Sequence, residues 1–449
     1  MTTTRSPWLA RAAVTGVVVS ILSLQAPAAA HAEGEPLDAK LCRASAPTPA
    51  AGIPTMWHLE RLHMQQAWQL TDPQGRALDG QGVTIAVIDT GVSNLNSALL
   101  DPQTITTLNF VPLEDDEKLA PRGVGDTDQG INCGHGTGVT AVIVGQPNLD
   151  PRTSYSGIAP GARVLAMRAL KAEPTKQGGT QKEDPTYTIR AIDEAVKRKV
   201  DVINISQAMS YGTPEYAAAV KRAIDAGTVV VAAAGNKDQS IDGAAYPASY
   251  PGVISVGLSN PQDIAPKELA HADSRNQVTV AAPGVGVLTL RPNRPPAAGK
   301  TSVADLLANQ AYVSETGTSF ATPIVSGLVA LMLQREPDLT PAQIRQRLVE
   351  TADPPVGSVP DKSLGHGVVN PMRALTGPAV SSSGHPSSET SLEPVTPRHP
   401  AEVDRRPMWY ALAAAGAALA LAGAGLLIKL VVPPADRRGY RAARPDRSR

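Results

Sequence analysis

The sequence predicts an α/β fold built on a mostly parallel, doubly wound sheet, and three observations lead there. Short runs rich in Val, Ile and Ala recur from residue 83 to residue 282, each with the length of a buried strand. Helical patterns separate several of them, at 186–199 and 214–226, as in successive βα units. Residues able to do chemistry stand at the ends of these runs, which is where an open parallel sheet presents its functional groups.

Composition fits that class. The chain has 449 residues, 42% of them hydrophobic but only 3% aromatic, with 38 Gly and 40 Pro, so the core is packed from small side chains and turns are many. Lys plus Arg and Asp plus Glu are both 41, and a net charge of zero gives no global reason to expect a nucleic acid or polyanionic partner. No internal repeat is visible.

Both ends carry topological signals. Residues 1–32 have a basic start (Arg5, Arg11), an apolar stretch at 12–24 and the small-residue ending Ala30-His31-Ala32, the pattern of a secretory signal peptide. A short first membrane anchor is the alternative. Residues 408–428 carry no charge and are long enough to cross a bilayer as a helix, so a transmembrane segment is expected over 408–432. Trp409 and Tyr410 would mark its outer interface, and the arginine-rich tail 433–449 would lie in the cytoplasm. The chain is thus expected to be exported and tethered to the cell membrane by a single pass. It has two cysteines, Cys42 and Cys133, and an even count in an exported chain suggests one disulfide, with two unpaired thiols as the alternative.

Between these ends the elements follow in order. An aperiodic Pro/Ala-rich extension, 33–56, precedes an amphipathic helix at 57–70. The strand 83–88 ends in Asp89, and an acidic, Gly-rich surface loop at 113–130 leads to Cys133-Gly134-His135-Gly136-Thr137 and an apolar run. Further strands are expected at 164–168, 200–206, 228–234, 253–257 and 278–282, the third of them ending in Gly235-Asn236. Ser319 follows a Gly-Thr turn and opens a helix whose apolar stretch is 324–333. A Pro-started helix at 341–351 and a glycine turn at 365–370 close the domain. Residues 377–407, rich in Ser and Pro, read as a stalk.

Taken alone, Asp89 reads as a strand-end cap, His135 as a structural imidazole and Gly317-Thr318-Ser319 as a helix cap. Together they form an acid, an imidazole and a hydroxyl in an order known for acyl-transfer triads. Their settings, Val87-Ile88-Asp89-Thr90-Gly91, Gly134-His135-Gly136-Thr137 and Gly317-Thr318-Ser319-Phe320-Ala321-Thr322-Pro323, resemble the three signature blocks of the subtilisin-like serine proteases. The resemblance covers 57–376 and implies the three-layer subtilisin-like fold. It also implies catalytic roles for Asp89, His135 and Ser319, an oxyanion role for Asn236, a protein or peptide substrate, and no cofactor. No metal site is expected: the other histidines show no ligand spacing, and no loop reads as a calcium site.

The whole layout is similar to the mycosins, the membrane-anchored subtilases of actinobacterial type VII secretion systems. That similarity fits a Cys42–Cys133 disulfide and the ending Gly365-x-Gly367-Val368-Val369-Asn370-Pro371. It implies processing of secretion-system proteins, support of the membrane complex and partners among its membrane components. A mainly structural role, or a general surface subtilase with no secretion partner, are the other readings. One departure stands out. Ser206 is followed by Gln207-Ala208-Met209 where many subtilases have Leu-Gly-Gly, so the specificity pocket does not carry over.

Overall fold

A computed structural model describes residues 35–36, 56–93, 100–112, 133–147, 154–170, 184–237, 241, 243–270, 277–290 and 312–377. All of them belong to the first of two compact units, Met1–Val380; the second is Ser381–Arg449. The expected signal peptide, Cys42, the 113–130 loop, the stalk, the 408–432 segment and the basic tail lie outside the described residues. Among those described, no helix is long and apolar enough to cross a membrane.

Eight strands form one sheet: β1 (Glu35–Pro36), β2 (Thr84–Asp89), β3 (Ile105–Asn109), β4 (Arg163–Arg168), β5 (Val202–Ile205), β6 (Val229–Ala233), β7 (Ile254–Ser259) and β8 (Val280–Pro283). Their spatial order is β1-β3-β4-β2-β5-β6-β7-β8. Every pairing is parallel except that of β1, which runs antiparallel on the edge of β3. After β2 the chain goes to β3, two places away on one side, returns with β4 to the place between them, and then crosses to the other side of β2 with β5. The strand order therefore reverses around β2, and the carboxyl ends there open a crevice. A separate antiparallel pair joins β9 (Val287–Leu290) to β10 (Tyr312–Glu315).

Helices cover both faces: α1 (Trp57–Arg61), α2 (Met64–Ala67), α3 (Gly134–Val144), α4 (Thr186–Lys197), α5 (Pro214–Asp225), α6 (Thr318–Arg335), α7 (Pro341–Thr351) and α8 (Pro371–Thr376). The strands' period of two sorts their side chains between two cores. Ile85, Val87, Val164, Ala166, Val229 and Val231 join one core with α3 and α6. Their neighbours Ala86, Ile88, Leu165, Met167, Val230 and Ala232 join the other with α4 and α5. The last two helices each bury one stripe, Thr188, Ala191, Ile192 and Ala195 on α4 and Tyr216, Ala219, Val220 and Ala223 on α5. Helix α6 is buried on nearly all sides, as expected of a helix whose apolar and small residues are spread all round it.

The expected helix at 57–70 is two short helices, α1 and α2, because His63 adopts a left-handed conformation (φ 51°) and breaks the ladder. Four strands, β1, β3, β9 and β10, and the short helix α8 lie outside what the sequence predicts. Strand β3 (Ile-Thr-Thr-Leu-Asn) lies near a sheet edge with only Leu108 buried, and it lacks the continuous apolar run of the central strands. Strand β1 has just two residues. The β9–β10 pair is joined across a separation that hides any hairpin signal.

Candidate active site

The crevice at the carboxyl end of β2 holds the first of the sequence-predicted groups. Asp89 is the last residue of that strand and is 1% exposed. Its Oδ1 accepts the Thr90 N–H at 2.7 Å, which holds the carboxylate at the turn that follows β2.

His135 lies in the first turn of α3, inside the helix rather than ahead of it. Its Nδ1 is 2.8 Å from Asp89 Oδ1 and 3.0 Å from Oδ2. A carboxylate only accepts, so Nδ1 carries the proton and Nε2, on the far side of the ring, presents a lone pair. The flanking residues fix this geometry. The Gly136 N–H donates to Thr90 Oγ1 (3.0 Å) and the Ser93 N–H to Thr137 Oγ1 (2.9 Å), stapling the turn after β2 to the start of α3. A Cβ on Gly136 would sit 2.3 Å from the Gly91 carbonyl oxygen and 3.1 Å from Asp89 Oδ1. Only glycine allows the helix to approach the acid this closely. Cys133, immediately before α3, is fully buried and disulfide-bonded.

Ser319 is the second residue of α6 and is partly exposed while its neighbours Thr318 and Phe320 are buried. The His135 ring packs edge-on against Phe320, with centroids 5.3 Å apart, so the imidazole stands beside the first turn of α6. That turn supplies N–H groups with no intrahelical acceptor and the positive end of the helix dipole.

Asn236 follows β6 and faces the same turn. Its Oδ1 accepts from the Thr318 N–H (2.9 Å) and the Thr318 hydroxyl (3.1 Å), which turns its Nδ2 away from Thr318. A Cβ on Gly317 would lie 3.1 Å from Ser319 Oγ and 3.3 Å from Asn236 Nδ2, so hydroxyl and amide face one small space that this glycine keeps open. A proton acceptor, a hydroxyl and inward-facing donors are thus gathered at the crevice, an arrangement able to activate an alcohol and stabilise an oxyanion.

Beneath the site runs a relay that the sequence reading did not single out. Ser326 donates to Asn204 Oδ1 (2.9 Å), Asn204 Nδ2 to Ser206 Oγ (3.0 Å), and Ser206 Oγ to the carbonyl oxygen of Ser319 (2.8 Å). Asn204 and Ser326 are fully buried. A lone amide in the strand Val-Ile-Asn-Ile and a lone serine in an apolar helix were the available signals, since a polar group that deep needs a partner. Arg168, also fully buried, ends β4 in register with Asp89 and donates through Nη1 to Asn109 Oδ1 (2.7 Å) and the Val111 carbonyl (3.0 Å). It fastens the segment leaving β3 to the same end of the sheet.

Known proteins resemble this chain in sequence and fold. The sequence pattern of the subtilase family matches residues 80–367. Mycosin-1 of Mycobacterium tuberculosis is 34% identical over 400 residues, which span 78% of this chain and 81% of mycosin-1. The solved structure of the serine protease MycP1, an essential component of the type VII (ESX-1) secretion system, superposes with a TM-score of 0.55 at 29% identity, covering 75% of this chain and 92% of that one. A chain of the intact ESX-5 inner membrane complex superposes with a TM-score of 0.54 at 26% identity, covering 88% and 94%. The chain therefore belongs to the subtilase family, in its mycosin branch, and is a serine endopeptidase.

Proposed function

We propose that the protein is a membrane-anchored, extracytoplasmic endopeptidase that works through Asp89, His135 and Ser319 and processes proteins of a type VII secretion system. The observation that carries the chemistry is the short contact from His135 Nδ1 to the buried Asp89 carboxylate beside the first turn of α6. In this reading Ser319 Oγ attacks the scissile carbonyl as its proton passes to His135 Nε2. Asp89 holds the ring in that tautomer and stabilises the imidazolium. The carbonyl π pair moves onto oxygen, where Asn236 Nδ2 and the Ser319 N–H donate to it. Collapse expels the amine, which takes the proton from His135. Water, deprotonated by the same nitrogen, then releases the acyl group and regenerates the Ser319 hydroxyl.

The layout proposed with this chemistry is a signal peptide at 1–32, an extension at 33–56 tied by Cys42 to Cys133, and a catalytic domain at 57–376. A stalk at 377–407, a membrane helix at 408–432 and a cytoplasmic tail at 433–449 complete it. The single charge-free stretch near the C-terminus supports the anchor. Similarity to MycP1 and to a chain of the ESX-5 inner membrane complex supports secretion-system partners.

A second reading, a component needed for the secretion complex whatever its catalysis, is favoured by the 94% coverage of the ESX-5 chain. A Ser319→Ala chain expressed in a host lacking its own copy separates the two. Loss of proteolysis with loss of secretion at normal expression supports the enzymatic role. Loss of proteolysis with secretion rescued supports the structural one. Retained proteolysis contradicts the assignment of Ser319.

A further inference from the structure

We propose that Asn204 and Ser326 are positioning residues of the peptidase: through Ser206 they fix the peptide unit of Ser319, and with it the reach of its hydroxyl toward His135. The inference rests on the peptidase reading above and adds to it two side chains buried too deeply to touch a substrate.

Asn204 stands where the fold offers an apolar place. In the register of the sheet it lies between Val87 of β2 and Val231 of β6, and both valines belong to the core shared with α6. Ser326 sits in the same core, next to Val325 on α6. Asn204 and Ser326 are both 0% exposed. A buried amide and hydroxyl that satisfy only each other add little to stability over an apolar pair of the same shape. Their consequence lies in the bonds that lead out of the pair, to Ser206 and Ser319.

The direction of every bond in this chain is set from its upper end. Pro323 has no N–H, so the Ser319 carbonyl accepts from Ser206 Oγ instead (2.8 Å). A hydroxyl has one proton, so Ser206 Oγ can only accept from any further partner. Asn204 therefore turns Nδ2 toward it (3.0 Å), and its Oδ1 takes the Ser326 proton (2.9 Å). With the amide turned over, Ser206 would donate to Asn204 and present a lone pair to the Ser319 carbonyl. Ser326 holds the amide against that rotation. The chain of bonds thus runs from the interior of α6, through the end of β5, and back to the first turn of α6. That carbonyl and the Ser319 hydroxyl belong to one residue, so a shift of the peptide unit moves Oγ relative to His135. A misplacement of about 1 Å can cost on the order of a hundredfold in rate.

The test follows labelling of the full-length protein by a fluorophosphonate as a function of probe concentration and pH, which separates the maximal rate from the binding constant. Asn204→Val combined with Ser326→Ala replaces both buried partners by apolar groups, so its urea unfolding should stay near that of the unmodified protein. Its maximal labelling rate should fall about tenfold or more with the binding constant unchanged. The pH midpoint of labelling should also stay in place, because the relay reaches the serine and not the imidazole. Ser326→Ala alone frees the amide to rotate and should give a smaller loss of the same kind, about threefold; it carries the test if the double variant does not fold. An undiminished maximal rate in the folded variants overturns the inference. So does a rate that falls only in step with the folded fraction, or a shifted pH midpoint. Absence of labelling in the unmodified protein overturns the peptidase reading itself, and the inference falls with it.

Discussion

Ser206 Oγ donates to the carbonyl oxygen of Ser319 at 2.8 Å, and that is the carbonyl which Pro323, four residues on in α6, leaves without a helix donor. The proline removes the bond and the Ser206 hydroxyl, just after β5, supplies another. The first turn of α6, which carries Ser319, is thereby tied to the central sheet. Ser206→Ala should orphan the carbonyl and destabilise the fold by about 1–3 kcal/mol. Pro323→Ala restores an N–H at that position. In the double variant the loss from Ser206→Ala should therefore be smaller than in the single one, and urea unfolding of the four proteins measures the coupling.

Thr318 clamps the amide oxygen of Asn236 with both its N–H and its hydroxyl. Asn236→Ala should lower kcat by about 10²–10³, the loss found when a subtilisin gives up its oxyanion asparagine, with KM nearly unchanged. Thr318→Val keeps the backbone bond and loses only the hydroxyl. Its effect on kcat should be less than about tenfold, since one neutral hydrogen bond is worth about 1 kcal/mol.

Asp89→Asn preserves the shape of the buried carboxylate site but offers an amide donor to Nδ1. The proton then moves to Nε2, the nitrogen that has to accept it from Ser319. Turnover should fall about 10⁴-fold while thermal unfolding shows a folded protein. A loss below tenfold would remove Asp89 from the mechanism.

His58 on α1 gives the fold an acid liability. It is fully buried, its Nδ1 has no hydrogen-bond partner among the described residues, and burial pushes its pKa from 6.5 down to about 3. Below pH 6.5 the unfolded chain binds a proton there that the folded protein refuses. Stability is therefore complete above that pH and falls by about 1.4 kcal/mol per pH unit as the pH drops toward 3. His58→Phe should flatten this part of the stability curve, measured by urea unfolding from pH 7 to pH 4.

The fold and the candidate site were legible to different depths. The central strands announced themselves because both faces are buried, which forces continuous runs such as Val-Thr-Ile-Ala-Val-Ile. The Gly-His-Gly block was legible because close approach to Asp89 excludes any side chain at Gly136. Strand β3 was not, because a place next to the sheet's edge, covered only by the two-residue β1, lets three of its five residues be polar, Thr106, Thr107 and Asn109. The break between α1 and α2 was hidden because His63 is a left-handed residue with no glycine to flag it. The relay from Ser326 to Ser319 was invisible for another reason: Asn204 and Ser326 stand 122 positions apart, and only the packing of α6 on β5 brings them together.

The central claim is that one serine, Ser319, is activated by the Asp89–His135 pair. Intact full-length protein should be treated with a fluorophosphonate and the adduct mapped by peptide mass spectrometry. The account predicts a single adduct on Ser319, absent after His135→Ala. An adduct on another serine, or labelling of Ser319 undiminished without His135, would contradict it.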